Sequence, residues 1–420
     1  MGESHQGCWN YSQVELSSIT TTYGLHMIID MDTHILPRDI YDYIEGPVAD
    51  KKPRFEFNAD GLLVGWEFPG NHYVKGTTPL PPPGAGGKHV GLVDIDARIS
   101  DYVKLGIEKE LLLPQFSAIY FNYTLDPELG AAMAHSYNVA ILKLLKQYPE
   151  HMIGSALVAL QDVPTAISEL EWAKKNGFQT VALDKVFPVR EHQFSETLGS
   201  HRELWPFFKR VEELGMPIVL HNIQHGHRIS NLNIFQRDGL DIVSPAEGQL
   251  SLVSLCTSGL FDDFPKLNFV FTEAGTAFIK PLLERFDAAF EKVPLNYEDE
   301  DATARFHRRV VPGSERLSAG KRLTALEEYE SRNLLPVSEY FKKNIFFTIE
   351  TEEPELPDSV SMLGASQFLF ATDYPHDDPG GRMKWKDVQL LRENPLISEA
   401  NKDLIRSTNA INMLPNQTWG

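Results

Sequence analysis

Eight short apolar segments, spread along 420 residues, constrain this chain more than any other feature. They are centred near residues 28, 111, 154, 181, 218, 269, 346 and 369, and each precedes a helix-like stretch or a long excursion. Repeated strand–helix units build a parallel sheet. Eight of them point to a closed (β/α)8 barrel, an α/β fold. An open doubly wound sheet is the alternative, but no Gly-x-Gly-x-x-Gly follows the first strand.

The intervening patterns predict helices over 94–106, 127–147, 163–175, 203–214, 241–259 and 277–290, and a last one beginning within 384–392. Asn176-Gly177 and Gly215 are helix-stop signals. Two excursions interrupt the rhythm, at about 35–90 after strand one and 292–335 before strand seven. The first holds a candidate hairpin around Asp60-Gly61 and the run PLPPPGAGG. Both excursions are expected to shape a pocket or a subunit contact. The expected organisation is an arm at 1–24, one barrel domain at 25–413 and a tail at 414–420.

Composition excludes several classes. A net charge of −19 argues against a phosphate polyanion, and hence a nucleic acid, as partner. Cys8 and Cys256 form no disulfide framework or zinc-finger spacing. No apolar run is long enough for a membrane helix, and the polar N-terminus lacks a signal-peptide core. The expected location is the cytoplasm and the expected partner a small-molecule substrate.

In barrels of this kind the chemistry sits at the C-terminal ends of the strands. The first strand, Ile28-Ile29-Asp30-Met31-Asp32-Thr33-His34, is apolar first and then loads its exit with carboxylate and imidazole. Alternation puts Asp30, Asp32 and His34 on one face. Other strand ends offer Gln115, Asp184-Lys185, His221, Glu273, Glu350 and Asp373. Packing asks for Val, Ile and Leu there, so polar groups at so many distant strand ends indicate a site. Asp32, His34, His221 and Asp373 form a divalent-metal set suited to zinc first, with manganese or iron(II) as alternatives. Glu273, a carboxylate outside that set, is a candidate acid or base. Glu350 falls in an acidic cluster with Glu352, Glu353 and Glu355, which reads as a solvated loop, with a place on the rim of the site as the second reading. The donor-dense segment after His221 supplies His225 as a catalytic candidate, and His227 and Arg228 as groups to orient an anionic substrate; a structural role for the three is the alternative. His376 either supports the metal site and substrate or caps its loop.

The segments IIDMDTH, MPIVLH, FPKLNFVFTEAG followed by IKPLLERFD, and LFATDYPHDD together resemble the amidohydrolase-related (amidohydrolase 2) branch of the metal-dependent amidohydrolase superfamily. That branch includes aminocarboxymuconate-semialdehyde decarboxylase and γ-resorcylate decarboxylase. The resemblance runs over roughly residues 26–395. It implies a distorted (β/α)8 barrel with one divalent metal, and a homodimer or larger assembly. Its first-strand motif maps to Asp32 and His34, its strand-five His to His221, and its late Asp to Asp373.

There is one departure. The well-studied decarboxylases of the branch carry a catalytic His after strand six, whereas this chain reads Thr272-Glu273-Ala274-Gly275. The expected activity is therefore hydrolysis with a metal-activated water, Asp373 accepting a proton and Glu273 shuttling it. Non-oxidative decarboxylation of an aromatic or unsaturated acid is the second reading, and a catalytically dead binding barrel the third. Nothing in the resemblance makes Asp30 a ligand, and it is expected to be a buried, hydrogen-bonded support.

Overall fold

The computed structural model describes residues 27–70, 89–115, 126–188, 195–221, 236–292, 334–349, 351–376 and 385–419. The eight expected strands are all present: β1 (Ile29–Ile35), β2 (Lys109–Pro114), β3 (Met152–Leu157), β4 (Thr180–Asp184), β5 (Ile218–His221), β6 (Phe269–Phe271), β7 (Ile345–Thr348) and β8 (Phe368–Leu369). They form one sheet in sequential order, with every adjacent pair parallel. The two ends of the sheet meet. Met31 N donates to Phe370 O at 2.9 Å, Asp373 N to Asp32 O at 3.0 Å and His34 N to Tyr374 O at 2.6 Å. The fold is a (β/α)8 barrel, and this seam brings the first strand against the segment after the last.

The helices start and stop where local chemistry dictates. Asp94, Asp126 and Asp162 each accept from a backbone N–H three residues on, capping Ile95–Leu105, Pro127–Gln147 and Val163–Lys175. Gly106 and Gly215 end their helices in the left-handed region, which a residue without Cβ enters freely. The 127–147 and 163–175 expectations match residue for residue. Missing from the sequence reading are a short hairpin pairing Val186–Pro188 with Ser195–Thr197, the helices Val337–Asn344 and Leu356–Leu363, and the helical run from Glu399 to Met413. The hairpin expected around Asp60-Gly61 forms, Arg54–Phe57 pairing antiparallel with Leu63–Glu67. The arm at 1–24 and nearly all of 292–335 lie outside the described residues.

β1 departs from strict alternation. Its register against β2 slips between Asp30 and Thr33, the mark of a β-bulge. The slip turns Asp30 away from Asp32 and His34. Asp30 and Thr33 face the helix layer, where Tyr102 Oη donates to Asp30 Oδ2 at 3.3 Å and Arg98 Nη2 donates to Thr33 Oγ1 at 2.8 Å. Asp32 and His34 face the barrel interior. The expectation that all three share a face is corrected on this point, while the reading of Asp30 as a support agrees with its bonds. It is fully buried and accepts from Thr372 N at 3.1 Å and Thr372 Oγ1 at 2.5 Å. Burial pushes its carboxyl up to about 8.

Candidate metal centre

Five side chains from four strand ends converge at the top of the barrel. Asp32 and His34 come from β1, His221 ends β5, Glu273 follows β6, and Asp373 follows β8. His34 Nε2 lies 3.0 Å from His221 Nε2, 3.1 Å from Asp373 Oδ1, 3.6 Å from Asp32 Oδ1 and 3.8 Å from Glu273 Oε1. His221 Nε2 is 3.1 Å from Glu273 Oε1. Two groups of possible metal donors overlap at His34: Asp32 with His34 and His221, and His34 with Glu273, Asp373 and His376. Within each, one donor atom per residue lies within 4.8 Å of the others.

Exposure separates the members. Asp32, His34 and His221 are 1 %, 0 % and 1 % exposed. The Glu273 and Asp373 side chains are 24 % and 37 % exposed, so these two carboxylates alone of the five reach the mouth. Both also sit at positive φ, 49° for Glu273 and 55° for Asp373. Non-glycine residues enter that region at a cost of about 1–3 kcal/mol each, and such outliers cluster where function holds them.

The donors fit a cation. His34 Nδ1 donates to Pro114 O at 3.3 Å, which directs the lone pair of Nε2 at the group. Among the described residues Asp32 Oδ1, which faces the group, is buried without a hydrogen-bond partner. The electrostatics also call for positive charge. Burial opposes charging His34, yet its hydrogen bonds to Asp373 and Glu273 and the charges of Asp373 and Asp32 push the imidazole up to about 10. Burial, reinforced by Asp373 and Glu273, holds the Asp32 carboxyl well above its usual range, against the pull of His34. Glu273 resists burial because His221 and His34 hold it well below the usual carboxylate range. Asp373 is lowered against burial by His376 and His34. Burial lowers His221. A divalent cation would supply the positive charge that this cluster of carboxylates otherwise draws from protons.

His376 lies directly against this group. Its ring stacks on His34 with centroids 4.1 Å apart, its Nδ1 is 2.8 Å from Asp373 Oδ1, and its Nε2 meets Gln115 Oε1 at 3.2 Å. Gln115, buried at the exit of β2, orients the ring from behind. Thr348 Oγ1, at the end of β7, donates to Asp32 Oδ2 at 3.5 Å. His225, His227, Arg228 and Glu350 lie outside the described residues. Among the described residues no helix is long and apolar enough to cross a membrane.

The family described as Amidohydrolase matches residues 29–415. A γ-resorcylate decarboxylase of Polaromonas sp. (strain JS666 / ATCC BAA-500) is 24 % identical over 330 residues, 77 % of this chain and 88 % of the relative. Two solved structures share the fold. One is a dihydroxybenzoic acid decarboxylase from Polaromonas sp. JS666 with bound manganese and the inhibitor 2-nitroresorcinol, with a TM-score of 0.59 and 18 % identity over 94 % of this chain and 98 % of that one. The other is a 5-carboxyvanillate decarboxylase from Novosphingobium aromaticivorans DSM 12444 complexed with manganese and 4-hydroxy-3-methoxy-5-nitrobenzoic acid, with a TM-score of 0.64 and 19 % identity over 93 % and 96 %. These relatives overturn the expectation of hydrolysis. A Glu in place of the strand-six His had put hydrolysis first, but that single position weighs less than decarboxylases matching along most of the chain. The metal carried by these two neighbours is manganese, where the sequence reading had put zinc first.

Proposed function

The chain belongs to the amidohydrolase family, and from that premise we propose that it is a metal-dependent, non-oxidative decarboxylase of a small aromatic or unsaturated carboxylic acid. One observation carries the reading: two carboxylates, Glu273 and Asp373, open to the mouth above the sequestered Asp32, His34 and His221. Decarboxylases related along most of the chain support the same reaction.

Asp32, His34, His221 and Asp373 would hold one divalent cation, with manganese the first choice and zinc or iron(II) the alternatives. When bound, that cation supplies the positive charge that anchors and polarises the substrate carboxylate and a neighbouring oxygen. The chain's own residues manage the proton. Asp373 or Glu273, ionised at rest and open to the mouth, takes a proton from water and delivers it to the ring carbon that bears the carboxylate. The carbon–carboxylate bond then breaks, its electron pair returns to the ring, and CO2 leaves with hydrogen in its place. His376, 2.8 Å from Asp373 Oδ1 and held by Gln115, orients the donor. His225, His227 and Arg228 remain proposed for catalysis and for the anionic substrate. A homodimer or larger assembly belongs to the same reading, supported by the resemblance alone.

The test is to load the protein with Mn2+ and offer 2,6-dihydroxybenzoate and 5-carboxyvanillate in D2O. The expected result is CO2 release with deuterium on the carbon that lost it. Fully loaded protein that releases no CO2 from any of a panel of hydroxylated aromatic acids overturns the proposal.

A further inference from the structure

The acidic loop after β7 was expected to be solvated. Glu352 and Glu355 are indeed exposed, but Glu353 is turned inward. Its carboxylate clamps the loop that follows Glu273. Thr276 N donates to both oxygens, at 2.7 and 2.9 Å. Thr276 Oγ1 donates to Oε2 at 2.7 Å, and Ala277 N to Oε1 at 3.2 Å. The same peptide is gripped from its other end, where Ser359 Oγ donates to Thr276 O at 3.3 Å. Thr276 is fully buried. Gly275, between clamp and site, has φ +65°, and a Cβ there would come within 3.0 Å of Glu353 Oε1. The backbone from Glu273 to Ala277 thus makes two left-handed steps in three residues and is fixed at its far end by one carboxylate.

We propose that Glu353 is a positioning residue: by clamping Thr276 and Ala277 it sets where the Glu273 carboxylate stands against His221 and His34. A charged acceptor gripping several N–H and O–H donors is stronger than neutral turn bonding, and it suits a loop that must hold Glu273 in a costly conformation. The clamp also ties the loop after β6 to the loop after β7. Nothing in this role requires Glu353 to touch substrate or metal.

The inference rests on the cation reading of the site, and its test separates the two. Mn2+ affinity is measured by the electron paramagnetic resonance of free Mn2+ in the full-length protein, with thermal unfolding as the folding control. Glu273 is not one of the four residues that would hold the cation, but its carboxylate stands 3.1 Å from His221 Nε2, so Glu353→Ala is expected to weaken Mn2+ binding about 10-fold, the low end for groups that orient a metal site's ligands, and Glu353→Gln less. In a Glu273→Gln background the same Glu353 substitutions are expected to add no further loss, because the clamp acts through Glu273. Undiminished Mn2+ affinity in folded Glu353→Ala, or losses that multiply in the double variant, overturns the inference. Should Glu353→Ala not fold, Glu353→Gln carries the same cycle. Wild-type protein that binds no Mn2+ refutes the cation reading itself.

Discussion

The two sides of β1 carry buried polar clusters of opposite character. On the helix side, Arg98 Nε donates to Glu110 at 2.8 and 2.9 Å, Arg98 Nη1 to His34 O at 2.6 Å and Arg98 Nη2 to Thr33 at 2.8 Å. Thr33 Oγ1 in turn donates to Leu111 O at 2.9 Å. Each of these groups has a partner. On the barrel side, Asp32 Oδ1 is buried without a hydrogen bond, and carboxylates crowd His34 until its imidazole is pushed up to about 10. The same strand presents a closed network to one face and an open one to the other. A satisfied cluster needs nothing further and serves as architecture, whereas an unsatisfied one calls for a ligand.

The largest effects should follow from cutting the open side. Asp373→Asn is expected to lower turnover by about 10²–10⁴-fold, the range for removing a proton-transferring group. The protein should remain folded, because Asp373 meets the mouth rather than the core. Near-normal CO2 release in that variant breaks the assignment of the open side as chemistry.

Arg98→Met tests the closed side. It leaves Glu110, 2 % exposed, without its cation. Breaking a buried pair in this way costs about 3–5 kcal/mol. Urea unfolding should register that loss, and pairing the change with Glu110→Leu should recover most of it. If Arg98→Met alone leaves stability intact but abolishes Mn2+ binding, the division between the two sides is wrong.

Metal addition compares the sides directly. Mn2+ at about 100 times its Kd should stabilise the wild-type chain by about 2.7 kcal/mol. His34→Ala should remove this increment and Asp30→Asn should keep it, although the two residues share one strand. Loss of the increment in Asp30→Asn, read from thermal unfolding with and without Mn2+, would place Asp30 on the open side.

The barrel and the members of the open side were legible in the residues; the closed side around Arg98 and Glu110 was not. All eight strands and the convergence of Asp32, His34, His221 and Asp373 follow from strand-end chemistry and the resemblance. Period-two alternation put Asp30 beside Asp32, because a bulge leaves no mark in a pattern of apolar and polar residues. Glu353 was grouped with Glu352 and Glu355, since composition does not say which member of an acidic run turns inward. The signal that existed was Thr272-Glu273-Ala274-Gly275-Thr276, a small-residue turn with bare N–H groups in need of an acceptor. Gln115 behind His376 was noted only as a strand end, since its partner lies far along the chain. The reaction was the least legible part, because Glu273 is compatible with proton transfer in either hydrolysis or decarboxylation.

The smallest expected effect lies where the two sides come closest. The segment after β8 carries Asp373 and His376 on the open side and Tyr374 on the closed one. Tyr374 Oη donates to Asp101 Oδ2 at 3.0 Å and lies 3.3 Å from His89 Nδ1, while its ring packs against Trp385 and under Arg98. Tyr374→Phe keeps the ring and deletes the hydroxyl. Asp101 and His89 are each 21 % exposed at their side chains, so water can replace the lost partner. The cost should be about 1 kcal/mol, the net worth of an ordinary hydrogen bond. Turnover and Mn2+ affinity should stay at wild-type levels, because the hydroxyl points away from Asp373 and the ring still fills its place. A variant whose kcat falls while its unfolding midpoint holds would show that the closed network transmits to the open one, and that their separation across a single strand is incomplete.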